Sequence, residues 1–163
     1  MNRVISIILA AGLTACTATG TGPRPSAVPV SEQAPSGMAE KSAKTHDELG
    51  RLYLQAGNLA VALEEARLAV ANDPGYAPAY DLLGLLHSML NEMPQAQAAF
   101  ERAIQLAPGD PQIANDYGWF LCLSGREQES FKYFSAAASN PLYKTPTRPY
   151  TNAGLCYRRL KDD

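Results

Sequence analysis

Residues 77–110 read APAYDLLGLLHSMLNEMPQAQAAFERAIQLAPGD, and this stretch decides the fold. Its apolar residues recur at i, i+3, i+4 and i+7 in two blocks, 77–90 and 93–107, as two amphipathic helices joined by a turn would have them. The interval from Gly50 to Gly84 within it recurs unchanged from Gly84 to Gly118, and Gly154 follows slightly late. Counting each glycine as position 8 of a repeat starts the repeats at residues 43, 77, 111 and 147. The first carries Leu49, Gly50, Tyr53, Ala62, Ala69 and Pro74, and the second Tyr80, Leu83, Gly84, Ala96, Phe100, Ala103 and Pro108. The third keeps Gly118, Phe134 and Ala137, with its closing Pro141 one residue early, and the fourth keeps Tyr150, Gly154 and Tyr157.

Each repeated residue has a physical task. Glycine at position 8 and alanine at position 20 let two antiparallel helices approach closely, while Tyr, Phe and Leu fill the seam between them. Alanine at position 27 admits the first helix of the next repeat, and proline ends the second helix. Period and landmarks together resemble the tetratricopeptide repeat over residues 43–163. The fold class implied is all-α, a superhelix of antiparallel helix pairs with about three and a half repeats: 43–76, 77–110, 111–146 and a partial 147–163. Helices are predicted at 44–57, 59–72, 77–90, 93–107, 111–124, 127–139 and 148–161. The last is a first helix with no second helix behind it. Asp162-Asp163 suits the start of a following helix better than the end of this one, so the chain reads as shortened relative to its family.

The N-terminus has a different character. Asn2-Arg3 is a positive start, and Val4 to Gly12 is an apolar run too short to span a bilayer. Leu13-Thr14-Ala15-Cys16 closes it and resembles a bacterial lipobox. That resemblance implies a signal peptide at 1–15 and acylation of Cys16, with several acyl chains anchoring more firmly than one would. An ordinary cleaved signal beside an incidental cysteine is the alternative. Thr17 rather than Asp follows the cysteine, which in such lipoproteins implies the periplasmic face of the outer membrane. Residues 16–42 are rich in Pro, Gly, Ser, Thr and Ala without apolar periodicity and read as a lipid-anchored flexible linker, with a reach of roughly 25–30 Å.

The chain has 163 residues and a net charge of −2, which becomes −3 once Arg3 is removed with the signal. So small a charge argues against nucleic acid or an anionic lipid surface as partner. His46 and His87 stand at packing positions of the repeat. No Cys/His cluster has metal spacing, and there is no phosphate loop and no serine in a nucleophile context. The expectation is therefore no enzyme, no metal, no cofactor and no small-molecule substrate. Cys122 and Cys156 lie at positions 12 and 10 of consecutive first helices, neighbours in such a stack. Two separately buried thiols are one reading; a disulfide, in an oxidising compartment, is the favoured one.

Asn115-Asp116-Tyr117-Gly118-Trp119-Phe120-Leu121-Cys122, then Ser124-Gly125 and Tyr150-Thr151-Asn152-Ala153-Gly154-Leu155-Cys156, resemble the type IV pilus biogenesis lipoproteins of the PilF/PilW pilotin family. That resemblance implies a protein that escorts secretin subunits to the outer membrane and supports their assembly. A lipoprotein of another pilus or secretion apparatus, or an adaptor for peptidoglycan hydrolases, are the other classes. The repeats themselves supply only a surface. The first helices would line a protein-binding groove through Arg51, Leu54, Leu85, Met89, Asn115, Trp119, Leu123 and Leu155, charged in the first repeat and apolar later. Such a strip suits an amphipathic or extended segment. In the opposing reading Trp119 only packs between helices.

Overall fold

The computed structural model describes residues 36–162. Seven helices run through them: α1 (Ser36–Gln55), α2 (Leu59–Asn72), α3 (Ala77–Met89), α4 (Met93–Leu106), α5 (Pro111–Leu123), α6 (Glu127–Ala138) and α7 (Thr147–Asp162). α1 pairs with α2, α3 with α4 and α5 with α6, while the first helices α1, α3, α5 and α7 touch in succession. This is a tetratricopeptide stack, all-α among the described residues. No helix among them is long and apolar enough to cross a membrane.

The glycines at position 8 explain how the pairs close. A Cβ on Gly84 would stand 2.7 Å from the Phe100 ring, and one on Gly118 would stand 2.9 Å from the Phe134 ring and 3.3 Å from the Ser130 carbonyl. A side chain there would push the second helix away. Each second helix then offers its small residues to the next first helix. Ala62 and Ala66 receive Leu82 and Leu86, while Ala96 and Phe100 receive Tyr117, Phe120 and Leu121. Burying a Leu or Phe this way contributes about 1.5–3 kcal/mol per side chain.

A second set of residues shares the period. Gly57, Asn91 and Gly125, one to each of the first three repeats, all have left-handed backbone with φ of 77°, 59° and 75°. The following amides of Asn58, Glu92 and Arg126 each donate 2.9 Å to a carbonyl five residues back, of Tyr53, His87 and Leu121. This return bond ends the first helix and turns the chain into the second, at a conformation natural to glycine and tolerated by asparagine.

One boundary differs from expectation. α1 begins at Ser36, inside the segment 16–42 read as linker. The final proline of that segment is Pro35, and Met38-Ala39-Glu40-Lys41-Ser42-Ala43 contains no further breaker. Extending a helix that already exists costs far less than starting one, so α1 propagates backwards to the proline. Cys16 and the signal segment 1–15 lie outside the described residues.

Candidate functional site

The residues expected to line a groove sit on α1, α3, α5 and α7, with Arg51, Leu85, Trp119 and Leu155 at one repeat position and the others within about a turn of it. Met89 (60%), Leu123 (40%) and Leu155 (41%) expose large apolar side chains, and Leu54, Leu85 and Trp119 are half-buried. Trp119 packs against the cluster of Cys122, Phe134 and Cys156 together with Phe131 and Ala153. Its indole therefore supports the seam between α5 and α7 while keeping part of its surface open.

Two of the expected groove residues play other parts. Asn115 is fully buried. Its amide nitrogen donates to Asp116 Oδ1 at 2.9 Å, and its oxygen accepts from Asn152 Nδ2 at 3.0 Å. Both ends of the side chain are consumed inside the stack, so it offers a partner nothing. Arg51, expected as a charged groove residue of the first repeat, ties two helices together. Its Nε donates to Asp47 Oδ2 at 3.0 Å within α1, and its Nη2 reaches Asp81 Oδ2 at 3.2 Å and the Pro78 carbonyl at 3.0 Å in α3.

A buried polar row thus runs beneath the apolar strip, correcting the expectation of an apolar lining after the first repeat. Asp47, Asp81 and Asn115 share one position in successive repeats and are all buried, as is Asp116. Gln112 Nε2 donates 2.6 Å to Asp116 Oδ2, and Arg148 approaches Asp116 Oδ1 at 3.4 Å. Asp47 Oδ1 and Asp81 Oδ1 receive no hydrogen bond from the described protein. Burial and the nearby Asp116 carboxylate push Asp81 up to about 7, against the pull of Arg51. Burial lowers the Arg51 guanidinium, but Asp81 and Asp47 outweigh it, leaving the group raised and firmly protonated. The identical spacing of Asp47, Asp81 and Asn115 was the sequence signal for this row. Taken singly, each read as a surface polar residue.

Cys122 and Cys156 form a disulfide with Cα atoms 5.8 Å apart. The Ser130 hydroxyl, at the repeat position held by Ala62 and Ala96, lies 3.3 Å from Cys156 Sγ. His46 and His87 are half-buried and pair with acids of their own repeats, His46 with Glu65 at 2.7 Å and His87 with Glu92. Among the described residues no group of three His, Cys, Asp or Glu converges as metal ligands would. What the face of the first helices offers is a set of exposed apolar side chains beside a buried polar row.

Comparison with known proteins fits this architecture. The tetratricopeptide-repeat family model matches residues 82–145. Over 164 aligned residues, 99% of this chain, the sequence is 27% identical to the type IV pilus assembly protein PilF of Pseudomonas aeruginosa. The solved Pseudomonas aeruginosa PilF structure superposes with a TM-score of 0.72 at 27% identity, covering 76% of this chain and 56% of that one. The structure of PilW, described as a widely conserved type IV pilus biogenesis factor, gives 0.69 at 28% identity, covering 74% and 55%. The chain spans 61% of the length of the Pseudomonas protein it matches.

Proposed function

We propose, from the premise that this chain is a tetratricopeptide-repeat protein homologous to type IV pilus biogenesis proteins, that it is an outer-membrane lipoprotein pilotin. In this reading Cys16 carries the lipid anchor at the periplasmic face, and the repeats bind secretin subunits and promote their localisation and assembly. The work is binding rather than catalysis. No metal, cofactor or nucleic acid takes part.

The observation that carries the reading is the strip of Leu85, Met89, Trp119, Leu123 and Leu155 along consecutive first helices. Exposed apolar side chains on helices already formed need no further folding to receive a segment, which lowers the entropic cost of binding. Met89 and Leu123 are the sharpest probes, because their exposure separates binding from folding. Met89→Asp and Leu123→Asp should leave the melting curve within about 0.5 kcal/mol of wild type. Each should weaken capture of purified secretin subunits about tenfold or more by placing a charge in a strip that must be desolvated. Trp119→Ala should lose at least as much affinity, but it also loosens the seam with α7 and needs its own melting curve. The proposal fails if well-folded Met89→Asp and Leu123→Asp bind secretin, and restore pili in a deletion strain, as wild type does.

A further inference from the structure

We propose that Asp47 and Asp81 hold one proton between them beside Arg51, and that this shared proton helps clamp the first repeat to the second. Two acids meet one cation here. Arg51 Nε donates to Asp47 Oδ2 at 3.0 Å, and Nη2 donates to Asp81 Oδ2 at 3.2 Å. One carboxylate commonly fills such a guanidinium fork with both of its oxygens. Here the fork holds one oxygen from each of two carboxylates, on α1 and on α3. The remaining oxygens, Asp47 Oδ1 and Asp81 Oδ1, are buried and receive no hydrogen bond from the described protein.

Ionising both acids would leave the trio with one uncompensated negative charge and two acceptors without a donor, all in desolvated space. Two carboxyl groups that share a site keep one proton, because their like charges resist being carried together. A proton on Asp81 Oδ1, donated to Asp47 Oδ1, satisfies both atoms and leaves the trio neutral. Burial, then the charge of Asp116, pushes Asp81 up to about 7 against the pull of Arg51, so Asp81 is the member that carries it. The third repeat meets the same burial with an amide. Asn115 occupies the position of Asp47 and Asp81, donates to Asp116 Oδ1 at 2.9 Å and accepts from Asn152 at 3.0 Å. An amide brings its own donor, whereas a carboxyl has one only when protonated.

The other charged groups around α3 leave Asp81 this role. Asp116 on α5 repels it but needs no proton, since Gln112 and Asn115 donate to its two oxygens and Arg148 stands 3.4 Å away. Tyr76, on the link before α3, is raised by burial and then by Asp47, and stays neutral. On α2, Glu65 is held by His46 of α1, while Glu64 and Arg67, like Glu101 and Arg102 on α4, are exposed. The folded protein keeps the proton up to about pH 7, and the unfolded chain releases it near pH 4. The clamp is therefore complete at pH 5 and lost by pH 8, when two carboxylates repel across the contact of α1 with α3.

Carbon-13 titration of the aspartate carboxyls in the full chain, joined to amide hydrogen exchange at pH 5 and pH 8, tests the clamp. Asp81 should titrate well above the ordinary carboxylate range. Asp47→Asn supplies an amide donor in place of the second acid, so Asp81 should then ionise at least about one pH unit lower. Corrected for intrinsic exchange, protection of α1 and α2 should fall at least about fivefold from pH 5 to pH 8 relative to α5 and α6. Asp81→Asn, with a permanent donor, should abolish that fall. An ordinary titration of Asp81 would overturn the proposal. So would a raised titration indifferent to Asp47→Asn, which would lay the shift on burial and Asp116 alone, or a loss of protection spread evenly over α1 to α6. If Asp47→Asn does not fold, the wild-type titration and the exchange of Asp81→Asn decide. Secretin is absent from the experiment, so its outcome is independent of the binding reading.

Discussion

Glycines 84 and 154 occupy the same repeat position, yet the structure assigns them opposite responses to substitution. Gly84→Ala would set a methyl against the buried Phe100 ring and should destabilise by about 1–3 kcal/mol. Gly154→Ala meets open space and gains helix propensity, so it should leave stability unchanged or raise it by up to about 1 kcal/mol. Paired thermal melts check both, and equal effects would show that position 8 is not a close-approach site. Arg51 calls for a similar revision at the same scale. Arg51→Ala leaves Asp47 and Asp81 buried without their shared guanidinium and should cost about 1–3 kcal/mol of folding stability, discounted for the partial exposure of Arg51. The raised pKa of Asp81 adds a pH dependence. A carboxyl whose folded pKa lies above its ordinary value contributes stability at low pH that is lost as pH rises, here from about 4 to about 7. Relative to Asp81→Asn, wild type should therefore gain stability as pH falls from 8 to 5. A difference that is flat across that range would remove Asp81 as its source. In the sequence, position 8 was legible because glycine has few other reasons to recur at so regular an interval. The Asp47–Arg51–Asp81 bridge was not, since its members lie 4 and 30 residues apart and only the packing of α1 on α3 makes them neighbours.

At the scale of elements, six of the seven helices fall within a residue or two of the sequence reading, because Gly, Asn and Pro punctuate each end. Asn91 offers the cleanest test of that punctuation. Its left-handed φ of 59° is the one positive value on a non-glycine residue among those described, at a position held by glycine in the neighbouring repeats. Asn91→Gly removes the Cβ penalty but gains backbone freedom in the unfolded chain, so the two effects oppose each other. Asn91→Ala keeps the penalty without asparagine's local hydrogen bonding and should destabilise by about 1 kcal/mol. Denaturant melts in which Asn91→Ala is less stable than Asn91→Gly would fit the turn; the reverse order would not. The start of α1 escaped the sequence reading for a reason of the same kind. Residues 36–42 have no amphipathic pattern of their own and are helical because a helix already exists downstream of them.

For the molecule as a whole, the functional reading joins two parts, a lipid anchor at Cys16 and a binding face on the repeats, and each can be tested without the other. Cys16→Ser should abolish incorporation of labelled palmitate and move the protein out of the outer-membrane fraction, while the purified repeats keep their affinity for secretin. Normal fractionation of that variant would remove the anchor from the proposal. The repeat landmarks are local: glycine where helices cross, alanine where the next helix docks, proline where a helix stops. Their chemistry acts over one or two turns of chain, so the sequence by itself determined that this is a stack of helical hairpins with one fixed period. The buried row of Asp47, Asp81, Asn115 and Asp116 was decided only by tertiary structure, as was the bridging role of Arg51. These depend on which side chains of different helices share one desolvated space, and desolvation is a property of the packed stack rather than of any segment within it.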